Sequence, residues 1–329
     1  ELANQLMNEF KMEDLGRLHW FLGLRFCQSK DNKVITVDQS QYIDSILRKH
    51  HLDNIKSTKT PLPGGTIYSK TDCPKEGSEE QLFMSKQPYR QLIGSLMYLL
   101  ITRPDIKFHV IHLSRFVNNP GRTHMKGLMH VIRYLAGTKD MGITLGRPLT
   151  QVYDLLKYRE DGSQRDLSGL VGVADSDWAA DKDTRRSVRG FVIYYNGYPI
   201  SCKSKMDTRV SGSSGEAELN ALMLMIQELK WLKILLAELG CIQSKPITVL
   251  EDNQSCIRMV EEPNANGSHS KYLNLSKYAV HECLISGMIN LEWLPTRNMI
   301  ADIMTKAAKT NLFIKFRDAL VKKVAQKIE

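Results

Sequence analysis

Three short apolar segments follow one another in the second half of the chain, and this succession restricts the fold more than any other feature. Residues 170–174, 190–195 and 199–204 are rich in β-branched and aromatic side chains, and turn residues such as Asn196 and Gly197 separate the last two. Because no helical pattern lies between them, the three predicted strands form an antiparallel meander. A long amphipathic helix is predicted at residues 216–239.

The elements that follow predict a mixed sheet. After the long helix come a strand at 247–250, a helix from Gln254, a helix around 270–286, a strand at 289–294 and a final helix. A helical crossover brings the fourth strand back parallel to a strand of the meander, and we expect it beside the first strand. The order βββαβααβα therefore predicts an α/β fold with three antiparallel strands, further parallel strands and flanking helices.

The first half predicts a smaller, mainly helical unit. Helical spacing occurs at residues 2–10, 42–47, 89–101, 106–116 and 124–136, and strands at 18–26 and 34–37 predict a hairpin. Residues 60–88 are rich in Pro, Gly, Ser and charge without an apolar period, which predicts an exposed loop. We expect a separate unit at 1–145, a polar linker at 146–168 and the mixed sheet at 169–329.

Composition narrows the function only slightly. Lys and Arg total 45 against 36 Asp and Glu, and most of the surplus lies in the first 150 residues, so an anionic partner is plausible. Six scattered cysteines predict free thiols in a reducing compartment. The longest apolar stretch ends at Arg103, short of the roughly 20 residues that span a bilayer. We therefore expect a fragment of a longer reading frame, intracellular rather than secreted, with no membrane partner.

Carboxylates mark the ends of two predicted strands. Asp175 closes the first strand and Asp252 the fourth, and neighbouring strand ends are where α/β sheets bind ligands. Glu216 on the long helix and Asp302 on the last helix can supply further ligands. Without nearby His or Cys, such a set favours Mg²⁺ over zinc. Two ions about 3.5–4 Å apart can drive phosphodiester hydrolysis. The alternative is that each acid merely ends a strand, favours a helix N-terminus or faces solvent.

Several motifs carry a family resemblance. In the second half they are VADSDWAAD (173–181), SSGEAE (213–218), EDNQS (251–255) and ADIMTK (301–306). This series resembles the ribonuclease H domain of Ty1/copia-type retrotransposon Pol polyproteins. In the first half, FKMEDLG (10–16), TPL (60–62), IGSLMY (93–98) and TRPD (102–105) are similar to the C-terminal part of the family's reverse transcriptase, its thumb and connection.

The resemblance implies a fold, an activity and a site. It implies an RNase H-like sheet that cleaves the RNA strand of RNA–DNA hybrids with two Mg²⁺ ions, for which Mn²⁺ can substitute. Asp175, Glu216, Asp252 and Asp302 match the metal-binding and catalytic acids, whereas Glu218 matches a neighbour in its motif. The upstream polymerase region of the same polyprotein is the implied partner. No polymerase activity is expected, because the Tyr-x-Asp-Asp signature is absent.

Four cations are predicted to contact the phosphate backbone of a hybrid. They are Lys203, Lys205, Arg209 and Lys271. The alternative for each is a solvated surface side chain.

Departures from the family pattern leave a second interpretation open. They occur at Cys202, Asp207, Gly212, Gly215, Leu219, Tyr272, Asn274 and Tyr278. They are compatible with an inactive or co-opted retrotransposon remnant that binds nucleic acid without cutting it. A sugar-kinase-like or other nuclease domain of related fold is a third possibility, and the sequence offers no glycine-rich phosphate loop in its support.

Overall fold

The structure is a computed structural model that describes residues 2–13, 15–31, 33–146, 150–264 and 271–324. The helices of this part are α1 (Leu2–Glu9), α2 (Ser40–Lys49), α3 (Glu79–Ser85), α4 (Tyr89–Leu99), α5 (Lys107–Ser114), α6 (Arg122–Gly137), α7 (Thr150–Leu156), α8 (Ser214–Glu238), α9 (Gln254–Glu261), α10 (Lys271–Ile285) and α11 (Thr310–Arg317). The strands are β1 (Trp20–Phe21), β2 (Leu24–Gln28), β3 (Ile35–Asp38), β4 (Met141–Leu145), β5 (Leu170–Asp177), β6 (Val188–Tyr195), β7 (Tyr198–Met206), β8 (Ile247–Glu251), β9 (Ile289–Trp293) and β10 (Lys322–Lys323). Short 3-10 helices lie at Lys70–Asp72, Pro104–Ile106, Thr296–Asn298 and Ile300–Met304.

The C-terminal sheet has the strand order β7-β6-β5-β8-β9. β5, β6 and β7 are antiparallel, whereas β8 runs parallel to β5 and β9 parallel to β8. The predicted mixed sheet, with the fourth strand beside the first, is confirmed. β5 is buried from Leu170 to Ser176. This burial is expected for a central strand whose two faces are both covered.

Helix α8 covers one face of this sheet. A Cβ added to Gly172 of β5 would lie 2.7 Å from the sulfur of Met225 on α8, so the glycine permits the helix to approach closely. The helix begins after Ser213, whose side-chain oxygen accepts the N–H of Glu216 at 3.2 Å. The N-terminus of α8 is thereby fixed near the ends of β5 and β8.

The N-terminal sheet contains a strand from the far end of the chain. Its order is β1-β2-β3-β4-β10, and Lys322 and Lys323 of β10 pair with Gly142 and Met141 of β4. The predicted strand at 18–26 is itself a hairpin, because Leu22 and Gly23 have positive φ and turn the chain between β1 and β2.

One hydrophobic core joins both halves. It contains Leu96 and Val131 from the N-terminal helices, Val173 and Tyr194 from the C-terminal sheet, and Phe313 from α11. Together with the pairing of β10 and β4, this core packs residues of the expected N-terminal unit against the C-terminal sheet, and the expectation of a separate unit stays a prediction. Tertiary packing of this kind leaves no mark in the local periodicity on which that expectation was based.

The segment predicted as an exposed loop at 60–88 is exposed over about half of its residues, but parts of it pack against the rest of the molecule. It contains α3 and the first 3-10 helix, and Leu62, Tyr68 and Met84 are buried. The backbone N–H of Tyr68 donates to Nε2 of His112 at 3.1 Å. The apolar residues of segment 60–88 lie in turns and short elements, so the buried ones are not spaced at a regular helical or strand period.

The segment predicted as a polar linker at 146–168 also packs. Val152, Leu155 and Leu156 of α7 belong to the shared core. Arg165 is buried and donates to Oε2 of Glu292 at 2.8 Å. A domain boundary in this segment stays a prediction, but the described part of it is not a free linker.

Two further properties concern the whole described part. None of its helices combines the length and hydropathy needed to cross a bilayer. All six cysteines are free thiols.

Candidate active site

Three carboxylates meet at one edge of the C-terminal sheet. Asp175, Glu218 and Asp252 each offer an oxygen within 4.8 Å of the other two. Asp175 lies near the end of β5 and Asp252 directly follows β8, and these parallel neighbours end at the same edge. Glu218 is near the start of α8. The predicted convergence of strand-end aspartates is therefore present in the geometry.

The glutamate in this group is Glu218, whereas Glu216, which the resemblance implied, lies outside it. Oε2 of Glu216 accepts the backbone N–H of Gly212 at 2.7 Å, so its carboxylate closes the start of α8. Two residues along an α-helix correspond to a rotation of about 200°, which directs the two side chains to different sides. Glu218 shares its side with the buried Leu222 and Met225, at the spacing of an apolar stripe.

Asp302 lies beside the group rather than in it. It is on the 3-10 helix Ile300–Met304, not on the last helix as predicted. Its Oδ1 lies 2.8 Å from Nζ of Lys306, and its side chain is only 4% exposed. Asp302 is close enough to Asp175 for that negative charge to raise its pKa.

Burial and the charges of neighbouring acids raise the pKa values of Glu218, Asp252 and Asp302. Burial, followed by the charges of Glu251, Asp175 and Asp252, raises the pKa of Glu218 to about 12. Burial and the charge of Asp175 raise the pKa of Asp302 to about 7, although Lys306 opposes the shift. The pKa of Asp252 is raised mainly by burial. A cation that binds here would stabilise the ionised carboxylates.

The oxygen ligands and their neighbours fit a hard divalent cation. Oε2 of Glu218 is buried without a hydrogen-bond partner, so it is available to an ion. Thr305 donates through its hydroxyl to Oδ2 of Asp175, and the hydroxyl of Thr296 donates to Oδ2 of Asp252 at 2.7 Å. Such contacts orient metal-binding carboxylates. An all-carboxylate set favours Mg²⁺ or Mn²⁺.

Two charged residues near the site were not among the predicted ones. Glu251 ends β8, is buried, and accepts the N–H of Asn253 at 3.0 Å through Oε1. Burial holds its pKa well above the ordinary value. Lys306 supplies the ammonium next to Asp302. Glu251 lies in the EDNQS motif and Lys306 in the ADIMTK motif. The spacing of residues in these motifs indicates neither how deeply the two side chains are buried nor which way they point.

Two of the predicted cations, Lys203 and Lys205, point to the opposite face of the sheet from Asp175. Lys203 pairs with Phe191 and Lys205 with Arg189, whereas Asp175 aligns with Gly190. Since side chains alternate along a strand, both lysines point to the face that α8 covers and Asp175 points to the other. Arg209 is exposed in the loop after β7. The side chain of Lys271 lies outside the described residues.

Some family departures are accommodated by packing. A Cβ added to Gly215 would meet the terminal carbon of Met259 at 2.6 Å, so a larger residue here would require the flexible Met259 side chain to shift. Asp207 forms an ion pair with Arg189 at 3.2 Å. The hydroxyl of Tyr278 donates to Asn264. The side chains of Tyr272 and Asn274 lie outside the described residues.

The mixed sheet with an acidic group at its edge defines an RNase H-like protein. No model of a protein family matches the chain. It is 32% identical over 314 residues to the retrovirus-related Pol polyprotein from transposon TNT 1-94 of Nicotiana tabacum, a match that covers 95% of the chain and 22% of that protein. It is 30% identical over 316 residues to the Pol polyprotein from transposon RE1 of Arabidopsis thaliana, covering 95% of the chain and 20% of that protein.

The chain belongs to the Ty1/copia-type retrotransposon Pol family and spans about a fifth of the length of these relatives. Among solved structures it is similar to LC11-RNase H1, isolated from compost, with a TM-score of 0.33 and 16% identity, covering 44% of the chain and 98% of that structure.

Proposed function

We propose that the chain cleaves the RNA strand of RNA–DNA hybrids, as the ribonuclease H portion of a retrotransposon Pol protein. The observation that carries the proposal is the convergence of Asp175, Glu218 and Asp252 within 4.8 Å at the edge of two parallel strands. Membership of the Pol family supports the substrate class. The 2′-hydroxyl and the shape of the duplex distinguish such a substrate from DNA.

The three carboxylates would hold a divalent cation, Mg²⁺ or Mn²⁺. When bound, such an ion polarises the scissile phosphate and lowers the pKa of water. Thr305 and Thr296 hold the carboxylates of Asp175 and Asp252 in place. Asp302, with a pKa near 7, can carry a proton to or from the reacting oxygens at neutral pH.

The phosphate backbone requires cationic contacts beyond the acids. Lys203, Lys205 and Arg209 are exposed, so they can reach a duplex that extends past the edge of the sheet. Their contact with a hybrid stays a prediction, as does that of Lys271.

An exposed apolar surface supports the upstream polymerase region as a partner. In the N-terminal segment, Phe10 is 60%, Leu15 88% and Leu22 72% exposed. Trp20 and Phe21 of β1 are also exposed. Several large apolar side chains exposed along one short segment are typical of an interaction surface. We expect the polymerase region to cover it, and we expect no DNA synthesis from the chain itself.

The direct test is incubation of a hybrid, labelled on each strand in turn, with the purified chain and Mg²⁺ or Mn²⁺. Wild type should cut the RNA strand only, and only with a divalent ion. Asp252→Asn should abolish cleavage, because an amide lacks the anionic oxygen that the ion requires. Binding of the hybrid should survive, since phosphate contacts do not depend on this residue.

The exposed Asp53→Asn is the matched control and should cut normally. A wild-type protein that binds hybrid but cuts nothing with either ion would refute the proposal. That result would favour the inactive remnant, and Tyr272 and Asn274 would be the first positions to restore to the family pattern.

A further inference from the structure

Lys306 places a positive charge inside the acidic site. Its backbone N–H donates to the carbonyl of Asp302 at 3.0 Å, and its Nζ lies 2.8 Å from Oδ1 of the same residue. Asp302 is almost fully buried, whereas the lysine side chain is 40% exposed. The turn at the end of the 3-10 helix therefore holds the ammonium against a buried carboxylate.

The surroundings of Lys306 keep it in this position. It lines a cavity of about 190 Å³ between the two halves of the molecule, together with Phe108, Asp177 and Ala307. Its ammonium is paired with the buried carboxylate of Asp302, and the charge of Asp175 is close enough to act on it as well.

Asp302 is separated from the other acids by this pairing. The oxygens of Asp175, Glu218 and Asp252 lie within mutual reach of one ion, and Asp302 is not in that group. A second ion between Asp175 and Asp302 would have to lie near the ammonium of Lys306. Two like charges in that space repel each other.

We propose that Lys306 supplies the positive charge that a second divalent ion would otherwise supply at Asp302, so that the chain binds one divalent ion, at Asp175, Glu218 and Asp252. The inference rests on the proposed function and replaces the expectation of two ions. Lys306 is in this sense a positioning residue, which acts through Asp302 and Asp175.

The number of bound ions tests the inference without recourse to activity. Mn²⁺ is titrated into the purified chain at pH 7.5, free Mn²⁺ is followed by electron paramagnetic resonance, and heat is followed by calorimetry. Wild type should bind one ion. Lys306→Gln keeps a hydrogen-bond donor but removes the charge, and it should bind two ions. The affinity of the variant for the second ion should be at least tenfold higher than any residual second-site affinity of wild type.

Further variants separate the charge from structural effects. Lys245→Gln is the matched control, because Lys245 pairs with Asp166 at 2.6 Å on the surface, and it should still bind one ion. Lys306→Arg retains the charge and should also bind one. In the Lys306→Gln background, Asp302→Asn should return the count from two to one.

Each outcome decides between the possibilities. Two ions in wild type, or one ion in a folded Lys306→Gln variant, would overturn the inference while hybrid cleavage could still stand. If Lys306→Gln fails to fold, Asp302→Asn in the wild-type background decides: retention of one ion supports the inference, and loss of ion binding overturns it. No Mn²⁺ binding by wild type would overturn both this inference and the proposed metal centre.

Discussion

Replacing Glu218 by glutamine should stabilise the metal-free protein while removing its ability to bind a divalent ion. Glu218 has a pKa of about 12 in the folded chain, against 4.5 for an ordinary glutamate. Near neutral pH the metal-free folded protein therefore keeps a proton that the unfolded chain releases. Because the folded state binds more protons, the free energy of unfolding falls as the pH rises above 4.5.

The size of the effect follows from the difference between the solution pH and the unfolded-state pKa. At about 1.4 kcal/mol per pH unit, retention of one proton at pH 7.5 costs about 4 kcal/mol, and at pH 5.0 it costs less than about 1 kcal/mol. Glutamine cannot ionise, so Glu218→Gln removes this cost. The gain in the free energy of unfolding should be about 4 kcal/mol at pH 7.5 and should nearly vanish at pH 5.0.

Urea unfolding in EDTA at both pH values measures the effect, and addition of Mn²⁺ should stabilise wild type but not Glu218→Gln. The control is Glu216→Gln, which loses a carboxylate that accepts one backbone N–H, and it should cost about 1 kcal/mol at pH 7.5. Equal gains for Glu218→Gln at the two pH values, or no gain at pH 7.5, would show that Glu218 is not held protonated among the other acids.

Three further outcomes follow from the same contacts. The thermal midpoint of the metal-free wild type should fall between pH 5 and pH 8, because the raised pKa values of Glu218 and Asp302 keep protons on the folded chain. A thermal midpoint that stays constant over this pH range would contradict these raised pKa values. Arg165→Ala should lower the free energy of unfolding by about 3–5 kcal/mol, because it leaves the carboxylate of Glu292 and other buried partners of Arg165 uncompensated. Arg159 pairs with the same glutamate but is 37% exposed, so Arg159→Ala should cost less than Arg165→Ala in the same urea titration. Truncation after Val321 should lower the thermal midpoint because β4 loses one of its two partner strands, and an unchanged midpoint would show that β10 is dispensable.

The order of the C-terminal elements could be predicted from the sequence because each strand and helix carries its own period. The convergence of Asp175 and Asp252 followed from that order, since neighbouring parallel strands end together. Motif position does not state which side of the helix faces the sheet, so the resemblance pointed to Glu216, whereas Glu218 is the glutamate that lies with Asp175 and Asp252. Apolar spacing does not separate the two, because buried apolar residues follow both glutamates along α8.

The N-terminal half was harder to predict because its decisive contacts are distant in sequence. The pairing of Lys322 with Gly142 joins residues 180 positions apart, and neither strand is long enough to show a period. Tyr68 is buried against His112 from a segment whose composition is that of a loop. The local sequence pattern indicates which secondary structure a segment can form. The conformation of β4, β10 and the segment around Tyr68 depends instead on contacts with residues that are distant in sequence.

The pairing of β10 with β4 also determines what would happen to a nicked chain. Residues 160–163 form an exposed turn between α7 and β5, where a protease could cut. The C-terminal fragment would still contribute β10 to the sheet of the N-terminal fragment, and Phe313 would still lie in the core with Val131. The two fragments should therefore elute as one complex and separate only in denaturant. A fragment that starts at Gly169 and is expressed alone would instead expose the face that carries Val173 and Tyr194, and it should aggregate unless the N-terminal fragment is supplied in trans.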